Sequence, residues 1–219
     1  MLLIKKFFTV CFFVLTVTML FCRVACAAFD EVHARQFLNT TGEQFIETLG
    51  LQDTTRKYEI LDEMFETKFD TKAMGRFVLG QSYRLLDDAQ EKQYQALFKR
   101  YIKSLYKSYP LDFRTDEIKF RIAQITKNDK YVLGSVIVDL PKKFQTENLK
   151  NVRVDFKLKS IESGNYLISD VLIGDVSLLV SLKSRFAQMF KDAADEPEWF
   201  LEDFEDLVLS NEKQILLSK

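Results

Sequence analysis

Behind an N-terminal apolar run, hydrophobic positions fall first on a helical period, then on a period of two, then on a helical period again. Ala34, Phe37, Leu38, Phe45 and Leu49 recur at helical spacing with Gly50 as a natural stop, which predicts a helix over 31–49. Leu61, Met64 and Phe65 mark a second helix after Asp53. Asp70 is suited to cap a short third one carrying Ala73, Met74, Phe77 and Val78 up to Gly80. The widest stripe comes next. Tyr94, Leu97, Phe98, Tyr101, Ile102, Leu105, Tyr106 and Tyr109 share one face, while Lys99, Arg100, Lys103 and Lys107 lie off it. Asp88 with Glu91 three later suits the start of this helix, and Pro110 its end.

The period then drops to two. Ile118, Phe120 and Ile122 alternate with Lys119 and Arg121, and a β-rich run from Tyr131 to Leu140 follows the Asn128-Asp129 turn. Val152, Val154, Phe156 and Leu158 alternate with Arg153, Asp155, Lys157 and Lys159, after which Ser163-Gly164-Asn165 turns the chain into Tyr166–Ile173. These segments predict a four-stranded antiparallel meander with one wet face. Helical spacing resumes with Leu179, Leu182, Phe186, Met189 and Phe190. Pro197 then opens a last helix with Phe200, Leu201, Phe204, Leu207 and Val208 inward. The fold class is α+β, with helices packed on the apolar face of a curved sheet. Such a layer either closes tightly or holds a cavity.

The apolar run at the start changes where the protein is expected to work. Lys5 and Lys6 precede Phe7–Phe21, and Ala25-Cys26-Ala27 is a small-residue cleavage pattern, so residues 1–27 read as a secretory signal peptide and 28–219 as a single exported domain. The run is shorter than the roughly 20 residues of a permanent membrane helix. Arg23 stands where an acylated Cys26 would need an aliphatic residue. Cys11, Cys22 and Cys26 all fall in the leader, so the mature chain has no thiol for a disulfide, a nucleophile or a metal. Loss of Lys5, Lys6 and Arg23 leaves 28 basic residues against 32 acidic, a net charge of −4, which argues against nucleic acid as a partner.

With His33 as the one histidine, zinc sites and Ser-His or Cys-His arrangements have no material, and the scattered glycines form no phosphate loop, so no cofactor is expected. Glu196, Glu198, Glu202, Asp203, Glu205 and Asp206 occupy the outward face of the last helix. Asp139, Asp155 and Asp170 lie in or beside strands, and an Asp paired with Tyr83, Tyr101 or Tyr106 is the one enzymatic design the residues leave open.

The run Asp70-Thr71-Lys72-Ala73-Met74-Gly75-Arg76-Phe77-Val78-Leu79-Gly80-Gln81-Ser82-Tyr83-Arg84 resembles the principal motif of the MlaC, or toluene-tolerance, family. The resemblance continues through Gln90, Tyr94, Phe98 and Tyr101 to Tyr106. It returns in Val154-Asp155-Phe156, Asp170-Val171 and Val176-Ser177-Leu178 to Phe186. Tyr83 and Tyr166 stand where the family usually has Trp, and Lys183 where Arg is expected. The resemblance implies a fold like nuclear transport factor two and a non-enzymatic periplasmic carrier. That carrier would exchange phospholipid between an outer-membrane lipoprotein complex and an inner-membrane ABC transporter, as a monomer. Predicted face and spacing nominate Met74, Phe77, Val78, Phe98, Tyr101, Ile102, Leu105, Val138, Phe156, Leu158, Val171, Ile173 and Leu179 as lipid-lining, with Arg76 or Arg84 toward the head group. A carrier of another lipid, hopanoid or sterol-like, and an exported interaction protein with a fully packed core are the alternatives.

Overall fold

A computed structural model describes residues 31–108, 114–128, 130–162 and 164–217. The predicted signal peptide, Tyr109, Pro110, Asp129 and Ser163 lie outside the described residues. The elements run α1 (Glu31–Leu49), α2 (Thr54–Lys68), α3 (Thr71–Leu79), a 3-10 turn (Gly80–Leu85) and α4 (Asp88–Lys107). Strands β1 (Lys119–Lys127), β2 (Val132–Asp139), β3 (Asn151–Glu162), β4 (Asn165–Ile173) and β5 (Val176–Ser177) follow, then α5 (Leu178–Asp192) and α6 (Pro197–Leu217).

Local chemistry sets the helix starts. The Asp53 carboxylate accepts from Arg56 N at 3.0 Å and that of Asp70 from Ala73 N at 3.2 Å, so both are N-caps as predicted. At α4 the cap lies one residue earlier than the expected Asp88 with Glu91. Extended Asp87 accepts from Gln90 N while the Gln90 side chain returns to Asp87 N, which is a reciprocal capping box. Asp88 and Glu91 then sit in the first turn, where the helix dipole favours negative charge. Gly80 ends α3 at φ +63°, a left-handed value that glycine adopts without strain.

The strands form one antiparallel sheet in the order β1-β2-β3-β4-β5. The fifth strand corrects the predicted count of four. It is two residues long, too short to show alternation, and it is made by a tight reversal through Gly174 and Asp175, both at positive φ. Pairing of Gly134 with Phe156, Val136 with Val154, and Val138 with both Phe120 and Val152 puts these side chains on a common face, continued by Val171 and Ile173 on β4. α1 crosses this face. Leu38 comes so close to Gly134 that a Cβ there would meet its Cδ1 at 2.3 Å.

The opposite sheet face is less wet than alternation alone predicts. Asp155 and Asp170 are 3% and 5% exposed: β5 and the first turn of α5 fold back over the β4 edge onto Asp170, and Arg153 pairs with Asp155. At that same edge Asp70 N donates to Ile168 O at 2.9 Å, which anchors the α2–α3 junction beside β4.

The largest core is purely helical. α3, α4, α5 and α6 close around Tyr94, Phe98, Tyr101, Phe186, Phe200 and Phe204, with Phe186 and Phe204 ring centroids 4.9 Å apart in a T-shaped contact. The six rings are at most 1% exposed. Edge-to-face geometry of this kind adds about 0.5–1.5 kcal/mol per pair beyond burial. Among the described residues no helix is long and apolar enough to cross a membrane.

Candidate functional site

The residues nominated as lining divide into three groups by their surroundings. Met74, Val78, Phe98, Tyr101 and Leu179 are buried members of the helical core, and Leu158 is fully buried on the sheet. Ile102 and Leu105 on α4, with Val138, Phe156 and Val171 on the sheet, are half-buried. Phe77 and Ile173 are exposed, at 45% and 46%. Arg76 and Arg84 are exposed on α3 and the 3-10 turn.

The half-buried group is the informative one. On the sheet its members share one face, whose β1-proximal part lies beneath α1, while Val138, Phe156, Val171 and Ile173 stand on the same face without being sealed. Val152 and Val154 belong with them: they pair with Val138 and Ile173 and are half-buried too. They carry the same alternation signal as Phe156 and Leu158, and face assignment along the whole of β3 finds them.

The polar residues define what else this arrangement can do. The Asp/Tyr design takes a different form from the one the sequence leaves open. Tyr106 donates its hydroxyl to Asp62, a residue of α2, and Asp62 also accepts from Lys107 Nζ at 2.8 Å. Burial, reinforced by the Asp62 carboxylate, pushes the Tyr106 phenol far above its ordinary value and holds it protonated. Tyr101 Oη accepts from Arg185 Nη1 at 2.9 Å and Tyr83 Oη from Gln95 Nε2 at 3.1 Å. Among the described residues none of the three tyrosines is hydrogen-bonded to Asp139, Asp155 or Asp170.

Asp170 instead organises the β4–α5 junction. Its carboxylate accepts from Lys157 Nζ and Ser177 Oγ at 2.8 Å each and from its neighbour's amide, Val171 N, at 2.9 Å, with Leu179 N at 3.5 Å. Ser177 Oγ in turn accepts from Val180 N at 3.1 Å, so the buried carboxylate holds the residue that caps α5. Arg153 donates to Asp155 at 3.0 Å and also to Asp175 in the β4–β5 reversal. Among the described residues no cluster of three or more His, Cys, Asp or Glu side chains has the arrangement to hold a metal ion.

Two comparisons bear on this arrangement. The family model described as MlaC protein matches residues 40–202. The fold is shared with a phospholipid-binding protein from Ralstonia solanacearum, solved in complex with a phospholipid, at a TM-score of 0.65 and 14% sequence identity over 81% of this chain and 98% of that one. Among curated proteins no sequence matches this chain. With the family match running from within α1 to the first turns of α6, and the motif residues seated at α3, α4, β4 and α5, the chain belongs to the MlaC family.

Proposed function

We propose that this protein is a non-enzymatic periplasmic carrier of phospholipid, taking up and releasing its cargo reversibly between an outer-membrane lipoprotein complex and an inner-membrane ABC transporter. Family membership supports this reading, and so does a fold shared with a protein solved with phospholipid bound. The observation on this chain that carries it is the apolar sheet face left half-buried at Val138, Val152, Val154, Phe156 and Val171, beside a helical core that is already sealed by its own aromatic rings.

The energetic demand is large. Two acyl chains carry roughly 30 methylenes at about 0.8 kcal/mol each, so wet tails would cost on the order of 25 kcal/mol. A carrier needs an apolar surface that is not consumed by its own folding. Ile102 and Leu105, at the edge of the helical core, are further apolar side chains left half-buried, as Phe156 and Val171 are on the sheet. Met74, Val78, Phe98, Tyr101, Leu158 and Leu179 are already buried by the protein's own packing. Phe77 and Ile173 are exposed, and Arg76 and Arg84 are the cations this reading assigns to a head-group phosphate.

Native mass spectrometry with solvent extraction of protein purified from a bacterial periplasm tests the proposal. A bound mass near that of a phospholipid, in about one-to-one ratio, is expected. A sterol-like mass would reassign the cargo, and a clean apo mass that persists after mixing with phospholipid vesicles would overturn the carrier.

A further inference from the structure

We propose that the face built from residues 71–86 and 176–185 rests transiently on the surface of an anionic phospholipid bilayer. The two segments pack side by side as α3 with its 3-10 turn and the start of α5, and Lys183 reaches across the seam. Its Nζ lies 4.9 Å from the Phe77 ring centroid, and its Cε is 3.1 Å from where a Cβ on Gly80 would be.

Charge is distributed over this face in a way the net value conceals. The segments carry Lys72, Arg76, Arg84, Lys183 and Arg185 and no carboxylate, with Asp70, Asp87, Asp88 and Asp175 at their borders, whereas residues 192–206 hold eight carboxylates and no lysine or arginine. All five cations are exposed. Among the described residues, Arg76, Arg84 and Lys183 have no carboxylate partner and Lys72 has Glu91 at 3.8 Å, while on α4 Lys99, Arg100, Lys103 and Lys107 are in ion pairs with Asp or Glu. Five aliphatic and aromatic side chains, Phe77, Leu85, Val176, Leu178 and Val180, are interspersed with these cations at 44–59% exposure.

That mixture matches the two layers of a bilayer interface, with cations at the phosphate plane and apolar groups at the glycerol and acyl boundary. The acidic segment 192–206 opposes adhesion, which keeps the contact oriented and reversible. Phe77, Arg76 and Arg84 of this face are also assigned to the cargo, so the variants below are chosen among its other residues.

The test is flotation of the periplasmically purified protein with vesicles of phosphatidylethanolamine and phosphatidylglycerol, against neutral phosphatidylcholine vesicles. Each cation near an anionic surface contributes about fivefold to partitioning. Lys183→Glu with Lys72→Gln is therefore expected to weaken binding about 25-fold or more. Lys119→Glu with Arg121→Gln changes net charge by the same amount on the distant β1 edge, and is expected to weaken it less than about threefold. Val180→Ser should lower binding at high salt, where the apolar contribution remains. Lipid extracted from each variant reports the cargo separately. Equal flotation with neutral vesicles, equal losses from the two charge variants, or no flotation in about 20 mM salt, where screening is weak, would each overturn the proposal and leave this face to an acidic protein partner.

Discussion

Replacing Asp170 with Ala removes the acceptor on which the β4–α5 junction converges. The carboxylate is 5% exposed and takes hydrogen bonds from Lys157 Nζ, Ser177 Oγ and Val171 N within 2.9 Å. Its removal strands the Lys157 ammonium, whose side chain is 26% exposed, and frees Ser177, the N-cap of α5. Breaking a buried ion pair from one side costs about 3–5 kcal/mol, most of it the penalty on the charge left behind. For a domain of this size each kcal/mol lowers the melting temperature by about 2–4 °C, so a fall of roughly 6–20 °C is expected. Urea unfolding followed by circular dichroism measures the free energy directly. Lys157→Met in the same chain removes the stranded charge and should restore about half of the loss, whereas Lys157→Met alone leaves the Asp170 carboxylate unpaired and destabilises. A loss below about 1 kcal/mol for Asp170→Ala, or a double variant no better than the single one, would refute the assignment of Asp170 as the organising charge.

Three further outcomes are expected. Phe186→Ala, at the centre of the ring cluster with Phe204 4.9 Å away, should cost about 3–5 kcal/mol by the same urea assay, and Phe186→Leu distinctly less. Leu105→Trp should reduce phospholipid recovered by extraction while leaving the circular dichroism spectrum intact, because Leu105 is half-buried at the edge of the core; severe unfolding would place it in packed interior. Burial works to raise the Glu66 carboxyl, but bonds from Lys99 and Lys103 prevail and hold it below its ordinary value, and Arg100 does the same to Glu212. A depressed folded value means stability present above the unfolded value of about 4.5 and lost as pH falls through the folded one. Glu66→Gln with Glu212→Gln should therefore flatten the loss of melting temperature between pH 7 and pH 3; an unchanged slope would show that these pairs contribute nothing.

Local signals settled most of the element order without help from the rest of the molecule. Helical spacing from Ala34 to Leu49 ends where α1 ends, Asp53 and Asp70 cap the helices they precede, and the alternation from Val152 to Leu158 is β3. At α4 the overlapping pairs Asp87/Gln90 and Asp88/Glu91 both have capping-box spacing, and the folded chain uses the first. The fold family was also legible, since the motif from Asp70 to Arg84 and the later matches lie within the matched span. The partition of the apolar residues was not. Phe98, Ile102 and Leu105 share one stripe, yet the first is sealed with the Phe186 ring of α5 against it and the others stand at the edge, a difference set by an element 80 or more positions away. Asp170 reads as wet from its alternation and is buried where α5 returns across the sheet edge. The cation-rich face arises in the same way: neither segment is unusual alone, and their charges add only because α3 and α5 pack together. Periodicity records which side of its own element a residue occupies; what covers that side depends on contacts between distant parts of the chain, and those exist only in the folded protein.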